Sequence, residues 1–281
     1  ELPGVSLGLV YANSYLPALA VQPFTGAFGG DMISPQVEAI VGRDLRNSDR
    51  FEVIDSLPDA LVGSQADYAL WDRLGAVWLV TGEVEGAGDG YMLILELHDV
   101  VYGEVRDRGR FRLPSEDDDD FRMAVHRTSD EIVRWATGDP GMAASRIAFT
   151  MLGSDGNKEV YVIDSDGENL EQVTDYNSLT ESPTWSPDGS RLALASWKTG
   201  VPRIYEVDRF GNELRTLPAV RGAGDYVTPT YHPDGRTLAF TVNGSANQSG
   251  IFTYDLEADC CLAFLSGGPW YDISPTYSPD G

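Results

Sequence analysis

The sequence contains few of the residues that usually carry enzymatic or metal-binding chemistry. Its 281 residues include only three histidines and two cysteines. The histidines (His98, His126 and His232) lack the HxxxH and HExxH spacings of metal sites, and no G-x-S-x-G elbow, Walker motif or dinucleotide fingerprint is present. We therefore predict a protein that is not an enzyme, with no catalytic residues, no cofactor and no metal site.

The two cysteines, Cys260 and Cys261, are adjacent. They lack the CxxC spacing of zinc and thioredoxin-like sites. Neighbouring side chains on a strand point to opposite faces, and a disulfide between adjacent residues closes a strained ring. We therefore expect one buried thiol and one partly exposed thiol.

The chain also lacks a long apolar run and an excess of basic charge. No run reaches 18 apolar residues, so no transmembrane helix is predicted. Twenty basic side chains face 44 acidic ones, giving a net charge of −24, and no basic stripe is evident. This charge repels nucleic-acid phosphates and anionic membranes. Nucleic-acid binding and direct membrane insertion are therefore excluded, and a hydrophobic share of 42% excludes global disorder.

The first half of the chain has the pattern of an α/β domain, which we place at residues 1–140. Apolar strand segments begin at Ala18, Phe51 and Val77 and alternate with helical patterns. Ser34 followed by Pro35 predicts a helix start with Ser34 as the capping residue. A final helix of about 18 residues should end at Gly138.

The second half contains an internal repeat. The motif SPTWSPDG begins at Ser182, recurs as TPTYHPDG from Thr228 and returns as SPTYSPDG from Ser274, a period of 46 residues. Four strand segments fit into each period, which is the unit of a β-propeller blade. The aromatic residues at one shared position are predicted to be core residues: Trp185, Tyr231 and Tyr277.

The repeat predicts a partial β-propeller over residues 141–281. Two blades are complete, 182–227 and 228–273, and the first and fourth are partial. The chain stops at Gly281 inside the repeated motif, so we expect a cut through a blade. An open blade exposes a face and an edge strand, and we expect these residues alone to be aggregation-prone or dimeric.

Several segments resemble the TolB family, the periplasmic component of the Tol–Pal envelope system. SPTWSPDGSRLALAS and EVYVIDSDGENLEQVT are similar to its WD40-like propeller repeat, and TGDPG is similar to the link between its domains. Upstream, DLRNS, LGA and VTGEV resemble landmarks of its α/β domain. The family's propeller has six blades, so the chain is identified as a C-terminally truncated member with about three. The segment from Glu1 to Tyr15 differs from the short segment through which the family engages TolA.

The resemblance implies a non-enzymatic periplasmic scaffold that supports outer-membrane integrity and cell division. Its implied partners are a Pal-type peptidoglycan-associated lipoprotein and a TolA-type inner-membrane protein. The alternative is the substrate-gating propeller of a prolyl-oligopeptidase-like or tricorn-like serine peptidase whose catalytic domain is missing. A free-standing sugar- or ligand-binding propeller is a third possibility.

The candidate binding residues lie where the chain enters the first strand of each blade. These segments, 177–181, 224–227 and 270–273, vary while the strands repeat, as expected where recognition is separated from scaffold. The resemblance implies that this rim receives the Pal-type lipoprotein, and the alternative is that the segments are plain solvent loops. The predicted contacts are Glu181, Tyr226, Val227, Tyr271 and Ile273.

Overall fold

A computed structural model describes residues 16–54, 66–218, 224–244 and 249–281. The segment from Glu1 to Tyr15 lies outside the described residues. The chain divides into two compact units, Glu1–Ser145 and Arg146–Gly281. The sequence had placed the boundary five residues earlier, after residue 140.

The first unit is built on one mixed sheet in the order β3-β1-β4-β5-β6, with β2 paired to β4. The pairs β1·β3, β1·β4 and β2·β4 are parallel, whereas β4·β5 and β5·β6 are antiparallel. The strands are β1 (Ala18–Val21), β2 (Thr25–Ala27), β3 (Glu52–Ile54), β4 (Trp78–Ala87), β5 (Gly90–Asp99) and β6 (Glu104–Leu113).

Three described helices accompany this sheet: α1 (Ser34–Asn47), α2 (Tyr68–Arg73) and α3 (Phe121–Thr137). The predicted end of α3 is confirmed, because Gly138 adopts φ 83° and its N–H donates to the Arg134 carbonyl. The predicted cap of α1 is wrong. Ile33 occupies the N-cap position, and the Ser34 hydroxyl donates to the Asp31 carbonyl instead of accepting from the helix.

The core of the first unit lies between the sheet and the pair α1 and α3. Alternate β5 residues Leu93, Leu95 and Leu97 are fully buried on this side, in one cluster with Val37 of α1 and Val125 of α3. The alternation follows from the two-residue period of a strand, which sends every second side chain to the helices. No helix in the described part of the chain is both long and apolar enough to cross a bilayer.

The other side of the sheet carries a row of three arginines. Arg108, Arg110 and Arg112 occupy alternate positions of β6, opposite Glu96, Ile94 and Met92 of β5. All three arginines are exposed. Residues two apart on a strand share a face, so pairing gathers arginines that look dispersed among acidic neighbours in the sequence.

The second unit contains three antiparallel sheets in chain order. The first has three strands, β7 (Arg146–Leu152), β8 (Lys158–Asp164) and β9 (Glu171–Gln172). The next two have four strands each: β10 (Thr180–Trp185), β11 (Arg191–Ser196), β12 (Arg203–Asp208) and β13 (Glu213–Thr216), then β14 (Asp225–Tyr231), β15 (Thr237–Asn243), β16 (Ser249–Asp255) and β17 (Cys260–Gly267). The α/β unit followed by an incomplete β-propeller is therefore confirmed.

Neighbouring sheets bury their facing side chains against one another. Leu192 and Leu194 of β11 pack with Val160 and Val162 of β8, and Tyr231 joins the next cluster with Phe240. Tyr231 is thus a core residue, as predicted. Its repeat equivalents are only partly buried: Trp185 packs against the first cluster, and Tyr277 stands edge-on to His232 with ring centroids 4.7 Å apart.

The structure corrects the prediction for the two cysteines. Cys260 and Cys261 form a disulfide at the start of β17 instead of two separate thiols. Cys261 adopts φ 67°, and the β16·β17 register shifts at this point, so the two residues do not alternate as regular strand neighbours do. Neither residue is buried.

Candidate partner-binding rim

Three of the five predicted contacts share one position of the repeat. Glu181, Val227 and Ile273 are 46 residues apart and each directly precedes a residue with left-handed backbone. These following residues are Ser182 (φ 56°), Thr228 (φ 49°) and Ser274 (φ 54°). Residues other than glycine rarely adopt this conformation, and its recurrence points to a specific local structure.

That local structure is a β-bulge in the first strand of each complete blade. The pairing of β10 with β11 shifts between Glu181 and Thr184, and the pairing of β14 with β15 shifts between Val227 and Thr230. A bulge redirects the side chains beside it and is found frequently next to functional sites. The candidate contacts therefore lie where the strand changes direction.

A buried threonine connects the bulges of two successive repeats. The Thr228 hydroxyl lies 2.7 Å from the Thr241 hydroxyl, and the Ser274 N–H donates to the same Thr241 oxygen at 3.0 Å. Thr241 is fully buried, so its hydrogen bonds are shielded from competing water. Sequence reasoning missed Thr241, because the equivalent repeat position holds Ala195.

The structure brings Val227, Tyr271 and Ile273 together around one cavity of about 430 Å³. Within residues 1–281, Tyr271 and Ile273 are 65% and 59% exposed. The wall is completed by short and polar residues that sequence reasoning also missed: Thr228, Asn243, Gly244, Ser249 and Ser274.

Backbone and side-chain bonds hold this wall in place. Ser249 and Tyr271 form an isolated parallel β-bridge, and the Ser249 hydroxyl donates to Asn243 Oδ1 at 2.7 Å. Asp272, between the two apolar contacts, accepts from the Ser266 hydroxyl at 2.6 Å. The exposed Tyr271 and Ile273 are therefore attached to an anchored segment rather than to a free end.

Glu181 is not among the residues that line this cavity. It lies on the preceding blade, partly exposed, with its carboxylate 3.8 Å from the Lys158 ammonium. Lys158 is one of only two lysines in the chain. An exposed ion pair of this length contributes little to stability, so the Glu181 carboxylate is available to a partner.

Tyr226 is corrected as a contact residue. Its side chain is 1% exposed, and its ring centroid lies 5.0 Å from that of Phe240. The Arg203 guanidinium lies 5.2 Å from the same ring. Tyr226 anchors the strand that carries Val227 and presents no surface to a docking protein.

The other ends of the first strands carry the Pro-Asp-Gly turns. The Ser186 hydroxyl donates to the Asp188 carboxylate at 2.6 Å, and this bond is the main reason the pKa of Asp188 falls to about 2. In the next blade His232 replaces the serine, and its Nδ1 accepts from the Asp234 N–H at 3.1 Å. His232 is thus a partly exposed turn residue.

The rim consequently offers apolar and aromatic side chains, beside hydroxyl and amide groups, on a hydrogen-bonded support. Exposed aromatic and aliphatic residues surrounded by polar groups are typical of surfaces that recognise proteins. Anchored surfaces lose little conformational entropy on binding. The geometry suits docking of a protein partner.

Both units match known families. Residues 11–105 match the family described as "TolB amino-terminal domain", and residues 134–281 match "TolB beta propeller domain". A relative from Anaeromyxobacter dehalogenans (strain 2CP-C), named "Tol-Pal system protein TolB", is 32% identical over 265 residues, which are 92% of this chain and 59% of the relative. A relative of the same name from Albidiferax ferrireducens is 33% identical over 225 residues, 79% of this chain and 50% of the relative.

The crystal structure of TolB from Acinetobacter baumannii aligns with a TM-score of 0.75 and 26% identity, covering 89% of this chain and 60% of that one. The chain therefore spans between about half and three-fifths of the length of the proteins it resembles. Two family matches in the expected order, with relatives and a solved structure that cover both units, show that the chain belongs to the TolB family.

Proposed function

We propose that this chain is a non-enzymatic periplasmic scaffold of the Tol–Pal system that docks a Pal-type peptidoglycan-associated lipoprotein through its propeller rim. Such a scaffold supports outer-membrane integrity and cell division, and a TolA-type inner-membrane protein is its second partner. The observation that carries the proposal is the cavity where Val227, Tyr271 and Ile273 meet.

The chemistry of this cavity supports docking by a protein. Tyr271 and Ile273 are large, exposed and apolar, and such residues supply most of the binding energy when a partner covers them. Their support through Ser249 and Asp272 reduces the entropy lost on binding. Glu181 adds a carboxylate that can pair with a basic group at the edge of the same interface.

The relatives support the scaffold over the peptidase alternative. Proteins named for the Tol–Pal system align over both the α/β unit and the propeller sheets, up to 92% of this chain. A peptidase propeller would be expected to match over the second unit alone.

The test is a calorimetric titration of the chain with the soluble domain of a Pal-type lipoprotein. We expect saturable binding that Ile273→Asp weakens about tenfold or more, since a carboxylate would be buried in an apolar contact. Glu181→Lys should weaken the binding less than Ile273→Asp does, because Glu181 lies at the edge of the proposed interface.

Ile147→Asp is the matched control, because Ile147 is 52% exposed on β7 and lies outside the rim cavity. It should leave the affinity unchanged. The proposal fails if no binding appears at tens of micromolar, or if Ile147→Asp reduces the affinity as much as Ile273→Asp does.

A further inference from the structure

We propose that β6, the edge strand of the first unit, is a docking site for an extended acidic segment of a partner protein, which adds to the sheet as a further strand. This surface lies in a different unit from the rim and does not depend on the function proposed for it. The edge, the arginine row and the opposite apolar face each contribute to the argument.

The edge itself is long and open. β6 pairs regularly with β5 from Leu113 opposite Tyr91 to Asp107 opposite Leu97, and the register then shifts before Val105 pairs with His98. Among the described strands none pairs with the outer side of β6. An edge of ten residues presents a row of backbone N–H and C=O groups that a second chain can satisfy. Strand addition is one of the recurring modes of peptide recognition.

The exposed face of this edge is lined with arginines at the spacing of a strand. The side chains of Arg108, Arg110 and Arg112 are 65%, 64% and 73% exposed. An added strand would place every second residue about 5 Å from this row. Carboxylates at those positions would meet one guanidinium each.

Each guanidinium is already oriented by one carboxylate. Arg108 Nε lies 3.1 Å from Glu96, Arg110 lies 3.5 Å from Glu85, and Arg112 lies 3.3 Å from Asp89. A guanidinium has five N–H donors in a planar fork, so one such contact leaves donors for a second carboxylate. The existing ion pairs hold the row in place, and the exposure leaves it accessible.

The opposite face of β6 is apolar and covered by α3. The ring of Phe111 lies 6.0 Å from that of Trp135, centroid to centroid. Gly109 keeps this packing close, because a Cβ there would lie 2.5 Å from the Phe111 ring and 3.0 Å from Trp135. A strand added beside β6 would therefore meet arginines on one face and aromatic rings on the other. A peptide that fits this edge therefore has acidic and apolar residues in alternation.

The charge pattern favours such a peptide over other occupants. A second copy of β6 would set arginine against arginine, which is destabilising across a strand pair. Polyanions such as nucleic acid or an anionic membrane are repelled by the whole chain, because its net charge is −24. That repulsion acts over about 10 Å at moderate salt, whereas a short acidic strand gains close pairs and backbone hydrogen bonds.

The test uses the full chain and a fluorescein-labelled ten-residue peptide of alternating Glu and Val. We expect saturable anisotropy changes that R108Q/R110Q/R112Q weakens about tenfold or more, and no binding of the alternating Lys and Val peptide. The matched control R127Q/R209Q/R236Q removes the same charge elsewhere and should bind as the wild type does. Neither triple variant should change the titration with the Pal-type domain.

Three results would overturn the proposal. The first is equal weakening by both triple variants, which would mean that only net charge matters. The second is undiminished binding of a Glu and Val peptide N-methylated at every residue, because such a peptide has no backbone N–H on either edge to donate to β6. The third is tighter binding of phosphatidylglycerol vesicles or single-stranded DNA than of the peptide. If the triple variant unfolds, R110Q alone is compared with R127Q alone.

Discussion

Tyr231 and Glu206 connect two neighbouring blades through a buried hydrogen bond. The Tyr231 hydroxyl, on β14, donates to Oε1 of Glu206, on β12, at 2.9 Å. The same carboxylate faces Arg191 at 3.1 Å and Arg215 at 3.8 Å, and it is 2% exposed. Burial is the main cause that raises the pKa of Tyr231, so its phenol remains a donor at all physiological pH values.

Glu206→Ala should destabilise the chain by about 3 kcal/mol, because it leaves two guanidinium groups and a buried phenol without their shared acceptor. Tyr231→Phe removes one bond only and should cost about 1 kcal/mol. Urea unfolding followed by circular dichroism measures both. Glu257→Ala, at an exposed glutamate, should change the free energy of unfolding by less than about 0.5 kcal/mol, and an equal effect would contradict the role of Glu206.

Ser186→Ala should raise the pKa of Asp188 from about 2 towards the ordinary range of an aspartate, because the hydrogen bond from the Ser186 hydroxyl is the largest cause of the lowered pKa. A carboxyl group with a lowered folded-state pKa stabilises the fold above its unfolded pKa and loses that effect as pH falls towards 2. Carboxyl ¹³C NMR titration measures the pKa. Ser190→Ala, which removes a second bond to Asp188, is the comparison and should raise the pKa less.

Ser182→Gly should stabilise the chain by about 0.5 kcal/mol. Glycine adopts φ 56° without the steric strain that a serine side chain causes there. The stability gained by relieving this strain exceeds the stability lost because glycine has more conformational entropy in the unfolded chain. Thr184→Gly, two residues along the same strand, should destabilise by about 1 kcal/mol, since its backbone is not left-handed. Thermal unfolding of the two variants gives the comparison, and a loss of stability in both would show that the bulge is not strained.

Asp44→Asn should destabilise the first unit by about 3 kcal/mol. The Asp44 carboxylate is buried between α1 and α3, where it lies 2.8 Å from His126 Nδ1 and accepts from the Ser129 hydroxyl at 2.6 Å. Asparagine has one oxygen acceptor in place of the two of the carboxylate, so one of these two buried groups loses its acceptor. Hydrogen exchange of α1 and α3 amides locates the effect. Asp72→Asn, at an exposed position on α2, should leave those amides unchanged.

The regular parts of the fold follow from patterns that are local in the sequence. The 46-residue repeat predicts two four-stranded blades, and both appear as β10–β13 and β14–β17. Helix α1 and the end of α3 follow from apolar spacing and from Gly138. In each case the residues that determine the element are neighbours in the chain or recur at a fixed period.

The candidate site was only partly predictable. Repeat phase identified Glu181, Val227 and Ile273 as equivalent positions, but it could not separate the buried Tyr226 from the exposed Tyr271. Burial depends on which neighbouring strand covers a side chain. Local sequence also could not predict that the Ser34 hydroxyl donates to the Asp31 carbonyl instead of capping the helix. Nor could it predict that a register shift in β17 brings the adjacent Cys260 and Cys261 into a disulfide.

The division into an α/β unit and propeller sheets, the phase of the repeat and the acidic net charge all follow from composition and periodicity. Folding is needed to see that Thr241 links two bulges, that Val227 meets Tyr271 and Ile273, and that three arginines of β6 form one row. These relationships join residues through strand register and sheet stacking. Register and stacking are determined by the packing of all strands together, which no local pattern contains.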